Sequence, residues 1–139
     1  NGLLKVRDNT MFIGRCMRIK EKPLVILDSA HNEAGIRELN QLLNSTSFNN
    51  LHFVFGTVSD KDLSKILPLL PTRAQYYFCK ADITRGMDPE SLGAKAIFYG
   101  LKGSVFPSVN AAYAQALVQA EDQDLIIVSG SIFVVAEVL

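Results

Sequence analysis

No excess of charge of either sign appears in this sequence, in which Lys+Arg and Asp+Glu both number 14. Neutralising a phosphate backbone needs clustered basic side chains, so a dedicated nucleic-acid binder is not expected. The nearest thing to a basic run is Arg15-Cys16-Met17-Arg18-Ile19-Lys20-Glu21-Lys22, which reads as an edge strand with solvated charges. An apolar run of the length a bilayer demands is missing, so no membrane partner is expected. A signal-peptide pattern is missing from Asn1-Gly2-Leu3-Leu4-Lys5, which points to the cytoplasm. A start Met is also missing, and we expect a piece of a longer chain. Cysteine is scarce: Cys16 and Cys79 form no Cys-x-x-Cys pair and read as free thiols in a reducing compartment, with a disulfide between them left open. Histidine is equally scarce. His31 and His52 stand far apart, His52 inside an apparent strand, so no metal site is expected. Neither Gly-x-x-x-x-Gly-Lys-[Ser/Thr] nor Gly-x-Gly-x-x-Gly occurs. Ser129-Gly130-Ser131 is not a nucleophile elbow, because no His follows it.

What is present suffices for a core. The 139 residues are 48% apolar and 20% charged, which fits one domain over 1–139. Leu24–Leu27, Leu51–Phe55, Gln75–Cys79 and Leu125–Val128 are short apolar runs, as strands buried on both faces should be. Helical stripes lie between them. Leu63, Ile66, Leu67 and Leu70 are spaced i, i+3, i+4, i+7, and Val109, Ala112, Tyr113, Ala116, Leu117 and Ala120 extend the same spacing. Ile36, Leu39 and Leu43 form a weaker stripe, and Leu92, Ala96 and Tyr99 another. Asn32, Asp88 and Ser108 stand where N-caps belong, with Pro89 at a first helical position. Strands alternating with helices imply right-handed crossovers. The expected fold is α/β, a three-layer α/β/α Rossmann-like domain. Its sheet is mostly parallel, with Met11–Lys20 as an antiparallel N-terminal edge strand or hairpin.

In an open parallel sheet, ligands bind at the carboxyl ends of the strands. That rule selects the loops at 28–32, 56–61, 81–86 and 129–131, all polar or small and directly after apolar runs. Asp28 follows Leu24-Val25-Ile26-Leu27, so its carboxylate is expected to point out of the sheet edge. There it suits a ribose diol, with a helix-capping role as the alternative. His31 is either a phosphate contact and proton shuttle or simply an exposed loop residue. Asn32 reads as a cap.

These residues resemble a known family. Val25-Ile26-Leu27-Asp28-Ser29-Ala30-His31-Asn32 is similar to the Leu-Asp-small-Ala-His-Asn signature of the Mur-ligase superfamily carboxy-terminal domain. The branch resembled is folylpolyglutamate synthase/dihydrofolate synthase. Further landmarks follow in order: Gly14-Arg15, the Asp60-Lys61-Asp62 loop that opens at Gly56, Thr84-Arg85-Gly86 with Glu90 and Leu92, and the closing Gly130-Ser131 with Glu137-Val138-Leu139.

The resemblance implies a ligase. ATP phosphorylates a carboxylate of a folate or dihydropteroate, and the amino group of L-glutamate attacks the acyl phosphate. By position, Arg15, Asp28, His31 and Lys61 would contact ATP, with His31 near the phosphates as the candidate catalytic residue. Arg85 and Ser131 would orient glutamate, Arg85 because a guanidinium pairs bidentately with a carboxylate. The alternatives are a surface Arg for Arg85, a helix cap for Ser131 and a solvated loop Lys for Lys61. The implied partner is an N-terminal ATPase domain of the same polypeptide, which would hold Mg2+ and the phosphate loop. Glu33 stands where the family has Pro, a change that suits a helix N-terminus. Two other readings share the fold: a stand-alone nucleotide-binding module, and another Mur-type amide ligase.

Overall fold

The computed structural model describes residues 17–59 and 62–139. Arg15, Cys16 and Lys61, and the part of the expected edge strand before Met17, lie outside the described residues. The apolar runs become β2 (Leu24–Asp28), β3 (Leu51–Phe55), β4 (Gln75–Phe78) and β6 (Leu125–Ser129). β1 (Met17–Glu21) and β5 (Lys102–Val105) complete a six-stranded sheet of order β1-β2-β6-β3-β4-β5. β1 pairs antiparallel with β2, as expected, and the remaining pairs are parallel. The central position of β6 explains its apolar composition: all five of its residues are buried.

Successive strand residues face opposite ways, so each strand feeds two cores. On one face Ile26, Phe53, Phe55, Tyr76, Phe78 and Ile127 pack beneath α1 (Glu33–Asn44) and α2 (Pro89–Ile97). Tyr76 lies between two rings there, with centroids 5.1 Å from Phe53 and 5.4 Å from Phe78. On the other face Val25, Leu27, Val54, Ile126 and Val128 pack beneath α3 (Val109–Gln119) and α4 (Ile132–Val138). Asn32, Asp88 and Ser108 cap α1, α2 and α3, each accepting a backbone N–H three residues on.

Two features depart from the sequence expectations. The stripe Leu63–Leu70 is two 3₁₀ turns, Leu63–Lys65 and Leu67–Leu69, instead of one helix. Pro68 is the reason: it offers no N–H to the preceding turn and its ring would clash there. Leu63, Ile66, Leu67 and Leu70 are nonetheless buried, so the spacing located the core face correctly. β5 was not anticipated. Its Lys-Gly-Ser-Val sequence is exposed throughout, and an edge strand need not be apolar.

At the amino ends of the strands, buried His52 joins two others. Its Nε2–H donates to Asp124 Oδ2 at 3.0 Å, and its Nδ1 lies 2.8 Å from the Tyr77 hydroxyl. Asp124 also accepts from the backbone N–H and side-chain amide of Asn50 and from the Glu121 N–H. Burial alone would raise the Asp124 carboxyl, but these donors outweigh it and hold it below its ordinary value of 3.8. Burial first, and then the Asp124 charge, push the Tyr77 hydroxyl up to about 12. Asp124→Ala is expected to cost about 3 kcal/mol in urea unfolding, because it strands several buried donors at once. A lowered folded-state pKa stabilises above the unfolded value and loses that effect as pH falls through the folded one. The gap between wild type and Asp124→Ala should therefore narrow, without closing, as pH falls below about 4, the ordinary carboxyl value.

Candidate functional site

Parallel register brings the four strand ends into one row. Asp28 stands beside Ser129, Ser129 beside Phe55, and Phe55 beside Phe78. The loops that follow therefore leave the sheet at a common edge. Two glycines let them close on one another. Gly130 has φ +115°, and a Cβ there would overlap the Gly56 carbonyl oxygen. A Cβ on Gly56 would lie 2.7 Å from the Cys79 carbonyl oxygen. The ends of β6, β3 and β4 are thus drawn together by backbone contact, with no side chains between them.

The first loop is organised by its own polar groups. Asp28 is only 5% exposed, and its Oδ1 accepts the Ala30 N–H at 2.9 Å. This corrects the expectation that the carboxylate points out of the sheet edge: a buried carboxylate must be hydrogen-bonded, and the loop backbone supplies a donor. The helix cap is Asn32, whose Oδ1 accepts the Gly35 N–H at 2.8 Å. Ser129 Oγ donates to the Ala30 carbonyl at 3.3 Å and ties the loop to β6. His31 is exposed at the tip. Its Nδ1 lies 3.1 Å from the Ser29 carbonyl, which can only accept, so Nδ1 carries the hydrogen. Nε2 is left as the ring's other polar atom.

The second and third loops are stitched to each other. Ser59 N–H donates to Arg85 O at 2.6 Å, Met87 N–H donates to Thr57 O at 2.9 Å, and Val58 bridges Gly86. Arg85 is exposed, with its guanidinium carbon 5.8 Å from the centroid of the Phe133 ring. Glu137 Oε2 accepts the Asp82 N–H at 2.6 Å. Ser131 is buried and caps α4, its Oγ accepting the Val134 N–H at 3.2 Å. The fold thus places Asp28 and His31 on one loop, and joins Arg85 and Ser131 through α4. Sequence reasoning placed Phe133 and Glu137 in the closing landmark but gave neither a role at the Arg85 loop, from which more than a strand and a helix separate them. It included Thr57 in the second loop but not its burial there, with its carbonyl accepting the Met87 N–H.

Cys79 is a buried free thiol. Burial, and secondarily the Glu137 charge, push it up to about 12, so it is not a nucleophile at neutral pH. Among the described residues no three His, Cys, Asp or Glu side chains gather as a metal site. A cavity of about 840 Å³ lies away from these loops, where His52, Tyr77 and Asp124 meet Arg73 and Lys102. Its buried side-chain polar atoms are all hydrogen-bonded, so it does not demand a ligand. No helix of the described residues is long and apolar enough to cross a membrane.

The glutamate ligase domain of the Mur ligases matches residues 14–132. A probable bifunctional folylpolyglutamate synthase/dihydropteroate synthase of Haloferax volcanii is 36% identical over 132 residues, covering 93% of this chain and 16% of that protein. A dihydrofolate synthase/folylpolyglutamate synthase of Escherichia coli K12 is 30% identical over 128 residues, covering 91% of this chain and 29% of that protein. Among solved structures, the bifunctional folylpolyglutamate synthase/dihydrofolate synthase of Yersinia pestis, complexed with AMPPNP and a Mn ion, superposes with a TM-score of 0.77 at 32% identity. That match covers 91% of this chain and 30% of the structure's chain. The chain therefore spans less than a third of each of these relatives. With the strand order, the loop edge and the 14–132 match in agreement, the chain belongs to the glutamate ligase domain family of the Mur ligases.

Proposed function

We propose that this chain is the carboxy-terminal, glutamate-ligating domain of an ATP-dependent folylpolyglutamate synthase/dihydrofolate synthase. One observation carries the reading: a chain matching the glutamate ligase domain over 14–132 gathers its polar loops at one edge of a parallel sheet. In the proposed reaction a folate-side carboxylate oxygen attacks the γ-phosphorus of ATP and ADP leaves. The amine of L-glutamate then attacks the acyl carbon. An amide forms, phosphate departs with the electrons of the broken C–O bond, and the amine loses its proton.

The donor set here fits part of that task. Asp28 and the exposed His31 suit the ribose and phosphate side of a nucleotide, and Arg15 and Lys61 are assigned there by motif position. A carboxylate can accept about four hydrogen bonds, so the Ala30 N–H and a ribose hydroxyl are compatible at Asp28. Exposed Arg85 suits the glutamate carboxylate, and Ser131 serves it by starting α4. No described cluster fits a divalent metal. We assign the metal and the phosphate loop to an ATPase domain of the same polypeptide, and derive no step from them.

The test is ADP release by the intact ligase supplied with ATP, L-glutamate and either dihydropteroate or tetrahydrofolate. Glutamate-dependent release is expected, and its absence with both acceptors overturns the assignment. His31→Ala is expected to lower kcat about 100-fold in the same assay if Nε2 handles a proton in the rate-limiting step.

A further inference from the structure

The loop that carries Arg85 is held from two sides, and only one of them is its sequence neighbour in the sheet. On the β3 side, Ser59 N–H to Arg85 O, Met87 N–H to Thr57 O and the Val58–Gly86 bridge fix the backbone from Arg85 to Met87. Those bonds do not choose a direction for a long, exposed guanidinium. On the other side stands α4, which sends two residues one turn apart to the same loop. Glu137 Oε2 takes the Asp82 N–H at 2.6 Å, at the start of the loop. The Phe133 ring lies under the guanidinium, 5.8 Å from ring centroid to guanidinium carbon. Spacing of four residues on a helix puts Phe133 and Glu137 on one face, and Ser131 fixes where that helix begins.

We infer that Phe133 and Glu137 are positioning residues for Arg85, together forming a clamp on α4 that aims the guanidinium at the incoming amino acid's carboxylate. This rests on the proposed glutamate-ligase reading. The ring's negative face holds the guanidinium while its N–H edges stay free to pair with a carboxylate. The Glu137 carboxylate holds Asp82, near the start of the loop, and keeps the loop from sliding along α4. An Arg that is already aimed loses less conformational freedom when substrate arrives, so the clamp acts on glutamate binding and leaves the nucleotide side alone.

The test is steady-state kinetics of the intact ligase with glutamate and ATP varied separately. Phe133→Leu keeps bulk and removes the ring. It is expected to raise the glutamate KM about fivefold with the ATP KM unchanged, and Phe133→Tyr should restore it. Glu137→Ala is expected to raise the glutamate KM about tenfold or more, and Glu137→Gln, which keeps an acceptor, should recover most of that. In an Arg85→Ala background Phe133→Leu should have no further effect, since the clamp acts only through Arg85. If Arg85→Ala raises the glutamate KM while Phe133→Leu and Glu137→Ala do not, the clamp is overturned and the ligase reading stands. The same holds if Phe133→Leu is equally damaging with and without Arg85, which would mark a packing role. If Arg85→Ala leaves the glutamate KM unchanged while ADP release remains glutamate-dependent, Arg85 does not bind glutamate and the clamp falls with it.

Discussion

Gly130→Ala is expected to destabilise the domain by about 4 kcal/mol or more, enough to leave much of the chain unfolded at room temperature. Two costs combine. The backbone at Gly130 has φ +115°, a region that L side chains rarely adopt. A Cβ placed there would also overlap the Gly56 carbonyl oxygen, a backbone atom that cannot rotate away as a side chain can. Relief would require the ends of β6 and β3 to separate. Gly56→Ala should be costly for the second reason alone, with its Cβ 2.7 Å from Cys79 O and 3.0 Å from Val134 Cγ2. Gly35→Ala is the control. Its Cβ would meet Ala30 and Asn32 at 3.3 Å, and the gain in helix propensity of about 1 kcal/mol offsets that crowding. Urea unfolding of the three variants should rank them Gly130, Gly56, Gly35 from most to least damaging. A Gly130→Ala midpoint close to wild type would mean that the loop edge tolerates opening.

That ranking bears on how much of this molecule can be read from its residues alone. Elements whose signal is local were legible. The run Leu24-Val25-Ile26-Leu27 and the cap at Asn32 carry their own instructions, one through burial on both faces and the other through a side-chain oxygen three residues from an orphan N–H. Signals that depend on partners were not. The exposed sequence of β5 forms a strand only because β4 is there to pair with it. His52 looked like an isolated histidine in a strand, because Tyr77 and Asp124 join it from 25 and 72 residues away. The Leu63–Leu70 stripe has a helical period but contains Pro68, and the local veto won. At the site, the family-like motifs located the loops. They could not tell that Asp28 turns its carboxylate to its own backbone, or that Phe133 lies under Arg85.

Asp28→Ala and Asp28→Asn separate the two things that buried carboxylate can do. One observed role is local: Oδ1 holds the Ala30 N–H and shapes the loop that presents His31. Its proposed role is a charge-assisted bond to the nucleotide ribose. Alanine removes both, and asparagine removes only the charge, because an amide oxygen can still accept the Ala30 N–H. In the intact ligase Asp28→Ala is expected to raise the ATP KM about 100-fold and to cost about 1 kcal/mol of stability, the latter from the lost loop bond. Asp28→Asn should keep the Ala30 bond and still raise the ATP KM about tenfold, since bonds to a charged acceptor are roughly twice as strong as neutral ones. The glutamate KM should change little in both, because Arg85 belongs to a different loop. If Asp28→Asn binds ATP as wild type does, while Asp28→Ala loses stability and ATP affinity together, the carboxylate acts only through the loop it shapes. The ribose contact would then have to come from another residue at this edge. Thr57, buried just past the end of β3 on the same edge of the sheet, is the first to substitute in that case.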